Sequence, residues 1–236
     1  MLLLDWAKKE NWPKTGELYG YGPHVEAVVA MKPTPEERRK IGEMLLERDD
    51  RKPLCTLTGV MYEEPDLVYR PFLTACLESC NQEKVSLAMS ALLRGGYEGA
   101  WDLLFSRPDV QRAMGDEFPS EIWGSAGDLP EEWQRQVLER FNERFRDDPP
   151  FNALTHQWLR TLANIPVTDA ATVETMLRTW NRLHRNDHQQ RYLLMQAMGA
   201  APAPEYVPIF ERIARSKLFD IRDMAKKALA KLKNRE

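Results

Sequence analysis

The chain has 236 residues, 43% of them hydrophobic and 29% charged, with 33 Lys and Arg set against 36 Asp and Glu. That balance excludes a disordered polar chain. A net charge of −3 likewise excludes a global basic field for nucleic acid or an anionic membrane. Three cysteines, an odd number, argue against a disulfide scaffold and for a reducing compartment. Leu2, Leu3 and Leu4 are followed at once by Asp5 and Lys8, too short an apolar run for a secretory signal. A cytoplasmic protein is expected.

Pro and Gly punctuate the chain, and the segments between them have helical period. After a Gly-rich, irregular cap over 1–33, Thr34-Pro35-Glu36-Glu37 reads as a capped helix entry, with Ile41, Met44 and Leu45 on one face. Pro53 opens a second helix carrying Leu54, Leu57, Val60 and Met61. Helices over 66–79 and 82–94 follow, the latter stopped by Gly95-Gly96, and then a short apolar segment over 101–105. The stretch 107–128 reads as an irregular insertion. Beyond it a helix starts at Asp128-Leu129-Pro130-Glu131, striped by Trp133, Val137, Leu138, Phe141 and Phe145, and Pro149-Pro150 breaks it. Its partner spans 151–163. Asp169 and Asp187 cap two further helices, and the last pair covers 204–215 and 220–233. No segment alternates with period two, so the fold is expected to be all-α.

First helices of successive pairs begin near 35, 67, 99, 130, 170 and 205, at spacings of 32, 32, 31, 40 and 35. Recurrence at this period marks an α-solenoid, whereas a plain helical bundle requires no recurring unit length.

The internal pattern recurs too. Val207-Pro208-Ile209-Phe210, Ile213-Ala214, Asp220-Ile221-Arg222, Met224-Ala225, Ala228-Leu229 and Leu232 together resemble a HEAT repeat. Tyr69-Arg70-Pro71-Phe72-Leu73, Val85, Ala88, Ala91 and Leu93 match a second time, with one extra turn residue and Ser86 where the family has Arg. The resemblance implies a right-handed α-solenoid of five to six helix pairs, one domain over 1–236, in which the proline bends the first helix and alanines allow close approach.

Few residues invite chemistry. His184 and His188 are four apart, but Asn186-Asp187 reads as a break and cap between helices. Cys76 and Cys80 form no Cys-x-x-Cys pair, Cys55 is isolated, and small buried cysteines are the plainer reading. No His-Glu dipeptide, phosphate loop, dinucleotide fingerprint or nucleophile elbow occurs. No cofactor, metal or catalytic residue is therefore expected.

Seven tryptophans are many for this length. Trp133, Trp158 and Trp180 fall in apolar stripes, whereas Trp123 sits in the 107–128 break as either a binding aromatic or a plug over the core. Residues 115–150 carry ten acids and four arginines, and 211–236 carry nine bases and four acids. The basic tail reads as nucleic-acid-binding or as the solvated face of a capping helix. The partner-binding candidates are Trp101, Asp116, Glu117, Glu121, Trp123, Glu131 and Glu132, acidic enough to meet a basic protein. The expected function is non-catalytic protein binding, as an immunity protein for a cognate toxin or an assembly adaptor. The alternative is a HEAT-like nucleic-acid enzyme such as a DNA glycosylase, for which Trp101-Asp102 supplies an adjacent tryptophan and carboxylate.

Overall fold

The computed structural model describes residues 23–147, 149, 151–184, 187–216 and 219–234. Of the cap expected as irregular over 1–33, residues 1–22, with Trp6 and Trp12, lie outside the described residues, whereas Pro23–Ala30 is a helix. Among those described, fourteen α-helices and no strand occur, so the all-α expectation holds. Among the described residues, no helix is long and apolar enough to cross a membrane. The chain divides into two compact units, between Phe118 and Pro119.

The first unit holds α1 (Pro23–Ala30), α2 (Pro35–Glu47), α3 (Arg51–Glu63), α4 (Arg70–Cys76), α5 (Gln82–Arg94), α6 (Ala100–Ser106) and α7 (Pro108–Met114). Alternate helices touch: α1 with α3, α3 with α5, α5 with α7, and α2 with α4. The expected entry of α2 is present in full. Thr34 Oγ1 accepts from Glu37 N at 3.3 Å, and Thr34 N donates to the Glu37 carboxylate at 2.9 Å. Gly42 lets α2 approach α4, since a Cβ there would lie 2.2 Å from the Phe72 ring.

Two expectations change here. The helix expected over 66–79 spans only Arg70–Cys76, because the Asp66 carboxylate accepts from Val68 N at 2.9 Å and turns the chain before the helix begins. Pro71 and Pro208 stand in the first turns of their helices, where an N–H would go unpaired anyway, and so open these helices rather than bend them.

The second unit holds most of α8 (Phe118–Ile122), then α9 (Glu131–Phe145), α10 (Ala153–Leu162), α11 (Ala170–Arg182), α12 (His188–Ala200), α13 (Val207–Ala214) and α14 (Phe219–Lys233). One layer is α9 against α11. The other runs α10, α12, α14, with α13 paired to α14. Ala225 and Ala228 of α14 are fully buried, as are Ala88 and Ala91 of α5. The stretch 107–128, expected as irregular, is folded into α7, α8 and two 3₁₀ turns (Gly115–Glu117 and Trp123–Ser125). Val110, Met114, Phe118 and Ile122, four apart, are all buried and explain why it folds.

Candidate functional site

In the second unit, neighbouring faces of α10, α12 and α14 enclose an open groove of about 590 Å³. Helical spacing builds each wall. Arg160 and Asn164 come from the end of α10, Tyr192, Gln196, Gly199 and Ala200 from one face of α12, and Met224, Lys227 and Lys231 from α14. Leu193 and Met195 are buried beneath, while Trp123 and Tyr192 stand 48% and 37% exposed at its rim.

Trp123 is held there by its neighbours. The Asn164 side chain donates to the Trp123 carbonyl at 3.3 Å, and Thr161 Oγ1 donates to the Pro119 carbonyl at 2.8 Å. Gly127 permits the close approach, because a Cβ there would meet the Asn164 carbonyl at 2.7 Å. Ile122, next to Trp123, is fully buried and anchors the turn from below.

The groove is electropositive. Arg160, Lys227 and Lys231 line it, and among the described residues no carboxylate, histidine, thiol or aliphatic hydroxyl does. Lys231 Nζ donates to the Gly199 carbonyl at 3.1 Å, neutralising the last turn of α12 and keeping two further donors. Gln196 Nε2 donates to the Tyr192 hydroxyl at 3.2 Å, setting that ring against the α12 face. What the site offers is cations, amide donors and ring faces.

A second polar cluster lies in the first unit. The Arg38 guanidinium bridges Glu64, at 2.5 Å, and Asp66, and its Nε donates to the Pro33 carbonyl at 3.0 Å. Tyr97 donates to the Met61 carbonyl at 2.8 Å and accepts from Asp66 N at 3.3 Å. Burial pushes the Tyr97 phenol up to about 12 and raises that of Tyr69, whose hydroxyl has no hydrogen-bond partner among the described residues. These contacts tie the ends of α2 and α3 to the turns before α4 and α6.

The seven partner-binding candidates are divided between the two units, Trp101, Asp116 and Glu117 in the first and the others in the second. Trp123 alone lines the groove. Trp101 is half-buried in α6 and stacks on Phe105 with ring centroids 6.3 Å apart. Asp116 and Glu117 belong to the 3₁₀ turn of the first unit, and Glu121 is half-buried in α8. Glu131 and Glu132 occupy the first turn of α9, where acids offset the helix dipole, and Glu131 pairs with Arg135 at 2.6 Å. Lys227 and Lys231 belong to the basic tail read over 211–236, whereas nothing in the sequence joins Arg160 and Tyr192 to them, because three separate helices supply these residues. One signal was available: α10 and α12 contain no Asp or Glu at all.

The remaining residues weighed for chemistry are dispersed. His184 precedes the break and His188 opens α12, so they do not share one helix. Cys76 is buried and Cys55 half-buried, whereas Cys80 is exposed in the turn between α4 and α5, contrary to a buried reading. No metal-binding group of three or more His, Cys, Asp or Glu forms among the described residues. Comparison with protein-family models, curated proteins and solved structures yields no significant match to this chain.

Proposed function

We propose that this chain is a non-catalytic protein-binding module built of HEAT-like helix pairs, serving as an immunity or inhibitor protein or as an assembly adaptor. The observation that carries the reading is the α10–α12–α14 groove, with two exposed aromatics over an apolar floor. Rigid aromatics beside a groove are what protein docking surfaces use as anchors. Contacts between alternate helices within each unit, α3 to α5 to α7 and α10 to α12 to α14, support a solenoid-type arrangement. A cytoplasmic setting belongs to the same proposal.

Photocrosslinking from Tyr192 tests it. With p-benzoylphenylalanine at position 192, native lysate should yield one discrete protein adduct, and the same group at Leu67, 74% exposed in the first unit, should not. Loss of that adduct in Trp123→Ala would support the site. Identical labelling from both positions would end the proposal.

A second reading, a HEAT-like nucleic-acid-binding enzyme such as a DNA glycosylase, is favoured by the same three cations beside aromatic rings. Against it, no carboxylate among the described residues lines the groove to act between the rings. A salt-sensitive shift of duplex DNA at micromolar protein would revive it.

A further inference from the structure

Charge is divided unequally between the two helix layers of the second unit. Helices α9, α11 and α13 mix acids and arginines in equal number, six of each. Helices α10, α12 and α14 carry seven Lys and Arg against two carboxylates, Asp220 and Asp223, both at the start of α14. The groove lies on this second layer, so its field is positive although the chain as a whole is acidic.

We propose that the groove's occupant is an acidic peptide segment of a partner protein carrying an apolar anchor. This rests on the reading of the groove as a protein-docking surface. Charge complementarity argues for the acidic part: Arg160, Lys227 and Lys231 face the groove, and no carboxylate among the described residues lines it. The floor argues for the anchor. Ala163, Leu193, Met195 and Ala200 are apolar, methionine adapts to varied shapes, and a Cβ built on Gly199 meets nothing within 4 Å. The volume of about 590 Å³ falls in the range that encloses a small ligand. Duplex or single-stranded nucleic acid fits less well, because three cations are few beside the roughly six to ten phosphate contacts that such proteins make. The basic partner anticipated from the acidic 115–150 stretch would meet Glu131 and Glu132 on α9, which do not line this groove.

Fluorescence anisotropy of the full chain with labelled probes tests the proposal. The probes are a peptide with a central Phe-Leu pair flanked by glutamates, the same peptide with lysines, a glutamate-only peptide and an oligothymidine. The first should bind saturably, about tenfold tighter than the glutamate-only peptide, and the lysine version should not saturate. Gly199→Phe, whose Cβ would meet open space and whose ring would enter the groove, and Lys227→Glu should each weaken binding by about tenfold while leaving the far-UV spectrum unchanged. Oligothymidine or the lysine peptide binding as tightly would overturn the assignment, as would unchanged affinity in both variants. So would a dimer dispersed by Gly199→Phe, which would name a second copy as occupant. If the Tyr192 crosslink captures its protein while the acidic peptide fails, the occupant's chemistry is wrong and the docking role stands. If both fail, the docking role falls as well.

Discussion

The Asn164 side-chain amide donates to two carbonyls at once, that of Trp123 at 3.3 Å and that of Arg160 at 3.1 Å. One residue thus closes the end of α10 and fixes the rim of the groove. Asn164→Ala should cost about 0.5–1.5 kcal/mol in urea unfolding, since the freed carbonyls can turn to water. Gly127→Ala should cost more, because its methyl would press on the Asn164 backbone rather than on a movable side chain. Trp123→Phe, which leaves both carbonyl bonds in place, should stay within about 0.5 kcal/mol of the parent.

Two helical glycines should respond to alanine with opposite sign. Gly42 is buried against the Phe72 ring, so Gly42→Ala should destabilise by about 1–3 kcal/mol. Gly199 lies in the last turn of α12 with open space beyond it, so Gly199→Ala should stabilise by about 0.5–1 kcal/mol. Thermal unfolding of both variants checks the pair, and a shared sign would contradict the packing described.

Arg38 joins two carboxylates, and its side chain is 15% exposed. Arg38→Ala leaves Glu64 and Asp66 facing each other without their cation and should cost about 2–4 kcal/mol. Arg38→Lys should recover only part of this, because an ammonium cannot reproduce a planar fork reaching Glu64, Asp66 and Pro33 together. Denaturation midpoints of the two variants measure the difference.

Alkaline pH should unfold the chain through its buried phenols. Tyr97, Tyr69 and Tyr206 hold their protons more tightly in the fold than an exposed phenol does, in each case mainly because of burial. The contribution of each is complete below the unfolded value of about 10, and that of Tyr97 is lost as pH rises through about 12. Tyr97→Phe should lower stability at neutral pH by removing the bond to the Met61 carbonyl, yet flatten the decline above pH 10. Denaturant midpoints from pH 8 to 12 would show both effects.

Thiol reactivity should separate the cysteines. Cys80 is exposed, whereas burial pushes the Cys76 thiol up to about 11 and raises that of Cys55. Native protein at pH 8 should therefore show one fast reaction with dithionitrobenzoate, abolished by Cys80→Ser. Cys76 should react only on unfolding.

Local features of the fold were legible because their causes are local. The Thr34–Glu37 box and the Asp169 cap, which accepts from Thr172 N at 2.7 Å, each need only four consecutive residues. Trp158 and Trp180 are buried as their stripes imply, whereas Trp133 is only half-buried. Asp187 also stands at a helix start, but its carboxylate accepts from the preceding His184 N, a choice set by the turn before it. Short helices were missed where Pro108 and the positive φ of Gly115 broke the pattern, although the four-residue spacing from Val110 to Ile122 was present throughout. The groove was hidden for another reason. Arg160, Tyr192 and Lys231 are each more than thirty residues apart, and only the packing of α10 on α12 and α12 on α14 makes them neighbours.

This half of the chain, residues 119–236, gathers the net positive charge of its helices on α10, α12 and α14. Its behaviour on charged media should follow orientation rather than sum. At pH 7, above an isoelectric point of about 5.9, the protein should still be retained on a sulfonated resin at low ionic strength. Lys227→Glu should elute earlier there, while the same reversal on α9, at Arg144, should shift elution little.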